Sequence, residues 1–310
     1  MEPIEHYQPE YVKRFAARDT ACTCLACRNA RQGFPFVSIK LKNQQRESLN
    51  IACETAAREA LLNPEAFVLH TSHKPVEGET LLSAWHKTLN QQCINLAIHP
   101  SLSLEERLYA MGVLLSKAQQ YHDNGTKDPV QLVSIGEQLS GLADQGVLAQ
   151  QFALLPTIVE NQLAALKEMG AIRLNLDLPM AGKMAMALKL SELAIMSPSR
   201  LAEHHQALNA QWQAMALFNE QPWILNNAVI YQLYHTVFPG FDGDNYGETF
   251  LRLTRYVFRI KMICALYGEL TPDTVAMLVS ALEEWMQQDP LPAKRQNSAD
   301  YNLLCGLSLL

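Results

Sequence analysis

Apolar residues recur at steps of three and four along most of the chain, which is the spacing of α-helices that bury one face. One stripe consists of Leu104, Leu108, Met111, Leu115 and Ala118. A second consists of Val275, Leu278, Val279, Leu282, Trp285 and Met286. Further helices are predicted near residues 81–98, 130–143, 148–169, 180–195, 199–217, 222–236 and 246–267. Within the helix at 180–195, we expect Met180, Met184, Leu188 and Ile195 to fill a core.

Three sequence signals mark the beginnings of helices. Ser103 and Glu106 have the spacing of a capping box, in which each side chain accepts a hydrogen bond from the other residue's amide. Ser197-Pro198 and Thr271-Pro272 each place a capping hydroxyl before a proline, and proline is tolerated in the first helical position.

Four segments rich in Gly, Pro, Asp or His are predicted to be loops between helices. They are residues 70–78, 122–129, 238–245 and 288–298. The sequence therefore predicts an all-α protein with a single large helical domain of about ten helices at residues 46–310. Residues 1–45 are predicted to form an irregular, cysteine-containing N-terminal arm. The alternation from Val37 to Leu41 is compatible with either one short strand or an extended segment.

Composition and charge exclude several classes of protein. Apolar residues make up 48% of the 310 residues, which is enough to bury a substantial core. The net charge is −6 and the longest basic run is Lys294-Arg295, so a nucleic-acid partner is not expected. The apolar stretch from Leu174 to Met196 contains Asp177 and Lys183, which argues against a membrane span. A polar N-terminus without a secretory signal predicts a cytoplasmic protein, whose seven cysteines stay reduced.

Cys22, Cys24 and Cys27 place three thiols within six residues and form the densest candidate site. A tight turn could bring them onto one metal, and thiolates favour zinc or iron–sulfur clusters. A closed zinc site needs a fourth ligand, for which His6 and Cys53 are candidates. Alternatively, the three thiols are free in a flexible arm.

Polar side chains share one face of the helix predicted near residues 222–236. They are Asn227, Tyr231, Tyr234 and His235. This face offers amide, phenol and imidazole groups for binding or catalysis. Alternatively, the face is partly buried and its polar groups are satisfied internally.

Two further groups of charged residues follow this helix. Asp242 and Asp244 lie in a Gly-rich loop that could bind ribose hydroxyls, a cation or an amine, or could form a plain turn. Arg252, Arg255 and Arg259 share a helix face that could hold a carboxylate or phosphate. Glu248 precedes Arg252 by four residues, which is also the spacing of an ordinary exposed ion pair.

Five segments of the chain, taken together in their order and spacing, resemble those of a known protein family. They are Gln8–Phe15, Leu102–Gly112, Ile224–Pro239, Arg252–Tyr256 and Leu270–Val275, with the clustered cysteines shortly after the first. Together they resemble the bacterial flagellin lysine N-methylase family. The chain departs from the family pattern at Arg28, because family members carry a fuller cysteine set that ends in two adjacent cysteines.

The resemblance implies transfer of a methyl group from S-adenosylmethionine to lysine ε-amino groups of flagellin. It also implies an iron–sulfur cluster at Cys22, Cys24 and Cys27. For such a reaction, Tyr231, Tyr234 and His235 are the candidates for orienting and deprotonating the lysine. The candidate cofactor-binding and lysine-attracting residues are Asn227, Asp242, Asp244 and Arg255.

Two other interpretations compete with the methyltransferase. The chain could be a non-catalytic helical binding protein of the flagellar system, derived from the same family. It could also be a small zinc-containing interaction module.

Overall fold

The structure, a computed structural model, describes residues 3–28, 30–241, 245–288 and 297–310. Most of these residues are helical, as predicted. The helices are α1 (Glu10–Ala16), α2 (Leu25–Arg28), α3 (Glu54–Leu61), α4 (Ala84–Ala97), α5 (Leu104–Asp123), α6 (Pro129–Asp144), α7 (Val147–Ala153), α8 (Val159–Glu168), α9 (Met180–Ile195), α10 (Pro198–Gln213), α11 (Ala216–Glu220), α12 (Trp223–His235), α13 (Tyr246–Tyr267), α14 (Pro272–Gln288) and α15 (Ala299–Leu307). A 3₁₀ turn, Met169–Ala171, follows α8.

A small sheet corrects the all-α prediction. Its strands are β1 (Ile4–Pro9), β2 (Phe36–Lys40), β3 (Gln44–Leu49) and β4 (Leu69–Lys74), in the order β2-β3-β1-β4. β1 is parallel to β3 and antiparallel to β4, while β2 and β3 pair antiparallel. Of the two alternatives for residues 37–41, the strand is therefore the one observed.

The sheet escaped prediction because β3 is polar, although most of it is buried. Hydrogen bonds within the sheet engage some of its polar side chains. The Gln45 side-chain amide donates to Ser38 Oγ and to Glu47 Oε1, both at 2.9 Å. The apolar alternation that marks a half-buried strand is therefore missing from this segment.

Helix boundaries agree with the sequence where a capping signal is present. Ser103 Oγ accepts from the Glu106 amide at 3.4 Å, and Glu106 Oε2 accepts from the Ser103 amide at 2.7 Å. Ser197 and Thr271 accept from the amide three residues ahead, at 3.5 and 3.2 Å. All three predicted N-termini are confirmed.

Two predicted helices are each divided in the structure. The helix predicted at 148–169 is split into α7 and α8 around Pro156, whose ring and missing amide disfavour a continuous helix. The helix predicted at 199–217 is split into α10 and α11 at residues 214–215, where the sequence contains no helix breaker.

Helix α9 presents a different face to the core from the one predicted. Met180, Met184, Leu188 and Ile195 are 57–83% exposed. The buried residues of α9 are Met186, Leu190 and Leu193. Because α9 is apolar on more than one side, helical spacing alone could not show which side packs. No helix among the described residues combines the length and apolar character needed to cross a membrane.

The chain forms two compact units. The first comprises Met1–Leu81, Leu163–Asn227 and Arg259–Lys294, and the second comprises Leu82–Gln162, Ala228–Phe258 and Arg295–Leu310. The first contains the sheet, and within it α3 packs against α1 and α14. In the second, α4 packs against α5 and α6, and α5 packs against α15. The division into an arm at 1–45 and a helical domain at 46–310 stays a prediction.

A buried asparagine in the second unit holds the C-terminal end of α12. The Asn90 side-chain amide donates to the Leu233 carbonyl at 2.9 Å and to the Phe238 carbonyl at 2.8 Å. Between these carbonyls lies Val237, with a φ of 50°, a left-handed conformation that is strained for a β-branched residue. Asn90 is 1% exposed, so it fixes this turn in a region that water does not reach.

Two glycines of the second unit make room for the ring of Phe250. A Cβ on Gly306 would lie 2.7 Å from Phe250 Cδ1, and a Cβ on Gly112 would lie 3.0 Å from Phe250 Cζ. Phe250 itself is fully buried. α5 and α15 can therefore approach α13 closely only because these two positions carry no side chain.

We predict that Asn90→Ala lowers the free energy of unfolding by about 2–3 kcal/mol, because two buried carbonyls lose their donor. The measurement is urea unfolding followed by circular dichroism. The matched control is Asn95→Ala on the exposed side of the same helix, which should change stability by less than about 0.5 kcal/mol. Equal effects of the two substitutions would contradict the role given to Asn90.

We also predict opposite effects for two glycine-to-alanine changes. Gly306→Ala should destabilise by about 1–3 kcal/mol, because the new methyl group collides with the buried Phe250 ring. Gly141→Ala in α6 meets no atom within 4 Å and should stabilise by up to about 1 kcal/mol through helix propensity. Thermal unfolding of both variants measures the two signs, and a stabilising Gly306→Ala would refute the close packing.

Candidate functional site

Four cysteines of the first unit bring their sulfurs together. They are Cys22, Cys24, Cys27 and Cys53, here called the cysteine cluster, and their Sγ atoms all lie within 4.8 Å of one another. Cys53 Sγ is 3.6 Å from that of Cys22, 3.8 Å from that of Cys24 and 3.5 Å from that of Cys27. The three thiols singled out from the sequence therefore converge, and Cys53 joins them.

Secondary structure explains this convergence. Cys22 and Cys24 precede the short helix α2, Cys27 lies within it, and Cys53 is the residue immediately before α3. Cys53 is fully buried, whereas the other three are partly exposed. The cluster thus lies at the N-terminus of α3, where the helix dipole favours negative charge.

The environment of the cluster stabilises a thiolate on Cys24. Its hydrogen bond with the Cys53 thiol lowers the pKa of Cys24 to about 4, against the opposing effect of burial. The backbone amides of Cys27 and Glu54 also donate to this sulfur. In turn, the hydrogen bond to Cys24 raises the pKa of Cys53, while burial raises that of Cys27 to about 12. A negatively charged sulfur is the form that binds metals.

His6, the other candidate for a fourth ligand, has both ring nitrogens engaged in the sheet. Its Nδ1 lies 3.0 Å from Ser72 Oγ and its Nε2 lies 2.9 Å from Glu47 Oε1. The fourth position near the three thiols is occupied by Cys53 instead.

The sulfurs of the cluster lie too close together for the iron–sulfur group that the resemblance implies. In a four-iron cluster each thiolate binds a different iron atom, so the sulfurs must stand well apart. Here they are packed at distances that suit a single shared ion. The residues present therefore do not fit a four-iron cluster, and no chemistry is derived from one.

A shallow, open recess lies beside the cluster. Cys24 contributes to its wall, together with the carboxylates of Glu54, Asp177 and Glu284. Two of these carboxylates have partners in the chain: Glu54 Oε1 accepts from Arg58 at 2.7 Å, and Glu284 Oε2 accepts from Asn175 at 3.3 Å. Of the described residues predicted to form the site, Cys24 is the one that lines this recess.

The three predicted catalytic residues lie on the C-terminal half of α12. Tyr231 is 1% exposed and Tyr234 is 4% exposed, while His235 is half-buried. The rings of Tyr231 and His235 stack with centroids 4.8 Å apart and planes inclined by 18°. Burial lowers the pKa of His235 to about 4, so its imidazole is neutral at pH 7. The predicted shared face is thus observed for this pair.

Asn227 is engaged with the C-terminal end of α3. Its side-chain amide donates to the Leu61 carbonyl at 3.2 Å and to the Asn63 carbonyl at 2.8 Å. The neighbouring Trp223 donates to the Leu62 carbonyl at 3.1 Å. These contacts favour a structural role, and cofactor binding by Asn227 stays a prediction.

The remaining residues singled out from the sequence, two aspartates and three arginines, differ in their surroundings. Asp242 and Asp244 lie outside the described residues. Arg252 pairs with Glu248 at 3.2 Å, as the spacing predicts, and Arg259 lies over the Trp285 ring at 5.5 Å. Arg255 is half-buried, and its Nε has no hydrogen-bond acceptor among the described residues. Binding of an anionic ligand by Arg255 stays a prediction.

Sequence reasoning identified most of the cysteine cluster but could not choose its fourth member. Twenty-five residues separate Cys53 from Cys27, and no local motif connects them. The available signal was the position of Cys53 at the start of a helix, since such positions attract charged sulfur.

Comparisons with known proteins show the family of this chain. The model of the FliB lysine N-methylase C-terminal domain matches residues 90–297, well over half of the chain. A lysine-N-methylase of Salmonella typhimurium (strain LT2) is 24% identical over 304 residues, covering 91% of this chain and 72% of that protein. A lysine-N-methylase of Salmonella choleraesuis (strain SC-B67) is 23% identical over 302 residues, with the same coverage.

No solved structure matches the chain. The family model and the two lysine-N-methylases agree with each other and with the resemblance carried by the five sequence segments. The chain belongs to the FliB lysine N-methylase family.

Proposed function

We propose that this chain transfers methyl groups from S-adenosylmethionine to lysine side chains on the surface of flagellin, in the cytoplasm. The observation that carries the proposal is the family match over residues 90–297, which includes all of α12. The matched relatives are lysine-N-methylases by name. The donor and the protein substrate are those that the sequence resemblance implies.

The reaction requires a neutral amine. The lysine nitrogen forms a bond to the methyl carbon while the carbon–sulfur bond breaks, and the nitrogen must also lose a proton. A free lysine has a pKa near ~10.4, so the site must lower that pKa or accept the proton. A poorly solvated environment does the first, because burial disfavours the ammonium form.

His235 supports this proposal as the residue that accepts the proton, directly or through water. Its imidazole is neutral at pH 7 because burial lowers its pKa. The stacked Tyr231 ring restricts the imidazole orientation. Tyr234 is proposed to orient the substrate amine through its phenol.

Arg255 is proposed to hold the carboxylate of the methyl donor, because its Nε has no acceptor among the described residues and guanidinium groups bind carboxylates well. Binding of the methyl donor by Asn227 is a separate proposal, carried over from the sequence resemblance. Asp242 and Asp244 are proposed to attract the substrate ammonium.

A second candidate function is a non-catalytic binding protein of the flagellar system, derived from the same family. The near-complete burial of Tyr231 and Tyr234 favours it, since buried phenols are poorly placed to meet a protein substrate. A titration with S-adenosylmethionine separates the two functions, because a binding-only protein has no reason to bind the donor.

We predict that His235→Gln slows methylation of purified flagellin by about 10²–10⁴-fold, because the proton acceptor is lost. The measurement is mass spectrometry of flagellin, which gains mass in methyl steps. The matched control is Thr236→Ala, an exposed residue one position along, which should keep the full rate. An unchanged rate in His235→Gln would remove this residue from the mechanism, while a parent protein without activity would refute the proposed function.

We further predict that His235 weakens the fold in acid. Its pKa is about 4 in the folded protein and 6.5 ordinarily, so between these values the unfolded chain binds a proton that the folded chain does not. Stability should therefore fall as the pH drops from about 6.5 to about 4. Urea unfolding across this range should show a smaller loss for His235→Gln than for the parent, and identical losses would show that His235 is not neutral in the fold.

A further inference from the structure

We propose that the cysteine cluster binds one zinc ion in a closed tetrahedral site that fastens the segment around α2 to the start of α3. The inference concerns the metal content and the stability of the first unit. It does not depend on the proposed function, because none of its tests uses methyl transfer.

The spacing of the sulfurs is the first support. Zinc–sulfur bonds are ~2.3 Å long, so two ligands of a tetrahedral ion stand ~3.8 Å apart. Cys53 Sγ lies 3.5–3.8 Å from each of the other three sulfurs, and all four lie within 4.8 Å of one another. The four thiols thus surround one point at about the distance that a zinc ion requires.

The ligand set is the second support. Four thiolates in a tetrahedron are characteristic of structural zinc. The four thiols release their protons on binding, which leaves the centre with two negative charges. The backbone amides of Cys27 and Glu54 donate to Cys24 Sγ, and the positive end of α3 faces the cluster. These donors compensate the excess charge.

The third support is that the surrounding segment has no hydrophobic anchor of its own. No residue from Ala16 to Arg28 is buried, and α2 spans only four residues. A helix of one turn is not stable by itself. Its attachment to α3 through a metal would supply the stability that burial does not.

Position 53 itself is the fourth support. Cys53 is the residue before α3, yet its side chain makes no capping hydrogen bond. Serine, threonine, aspartate or asparagine at this position would accept a hydrogen bond from the first turn of the helix. A cysteine here is better suited to binding a metal than to capping a helix.

The test is the metal content of the full-length chain, purified without chelators and measured by plasma mass spectrometry together with acid-labile sulfide. The expected result is about one zinc per chain and no sulfide. Titration of metal-free protein with Co²⁺ should produce the intense visible bands of a tetrahedral tetrathiolate site. Iron with sulfide, or failure to bind either Zn²⁺ or Co²⁺, would overturn the proposal.

Variants test the ligands. Cys53→Ser should weaken zinc binding at least about tenfold in chelator competition, and it should still fold because serine can cap α3. The matched control is Cys305→Ser, a partly exposed cysteine outside the cluster, which should keep parental zinc affinity. Retention of zinc with an unchanged Co²⁺ spectrum in Cys53→Ser would refute the assignment of the fourth ligand.

Discussion

Buried helix ends impose the constraint on which much of this structure depends. The last carbonyls and first amides of a helix have no partners within it, and leaving them unpaired away from water is costly. Here side chains from other helices supply the missing partners. Asn227 and Trp223 serve the carbonyls at the end of α3, Asn90 serves the end of α12, and Gln119 accepts from the first amide of α13 at 2.8 Å.

This constraint changes how polar residues on helical faces should be interpreted. Asn227, Tyr231 and His235 were grouped from the sequence because they recur on one side of α12. In the structure the amide of Asn227 is engaged with backbone carbonyls, while the two rings stack on each other. The same periodicity therefore includes a residue that holds the fold together and two aromatic rings that stack on each other.

Periodicity and capping signals predicted most helices, because both arise from contacts between residues three or four apart. The sheet could not be found in this way. Within the interior, Ser38 of β2 bonds to the side chains of Gln45 and Glu47 in β3. Likewise, the sequence revealed three of the four clustered thiols through their proximity, whereas Cys53 is brought to them by the position of α3. Both failures concern pairings between distant segments, and neither pairing leaves a local pattern.

The contact of Phe250 with Gly306 and Gly112 limits which amino-acid substitutions this part of the protein can accept. The aromatic ring packs directly on the glycine backbone. A new side chain at these positions would therefore meet the ring itself. The space between α15 and the Phe250 ring therefore leaves no room for a larger residue at position 306. A substitution at Gly306 must displace the helix or the ring, so this part of the second unit should vary in sequence by coordinated replacements rather than by single steps.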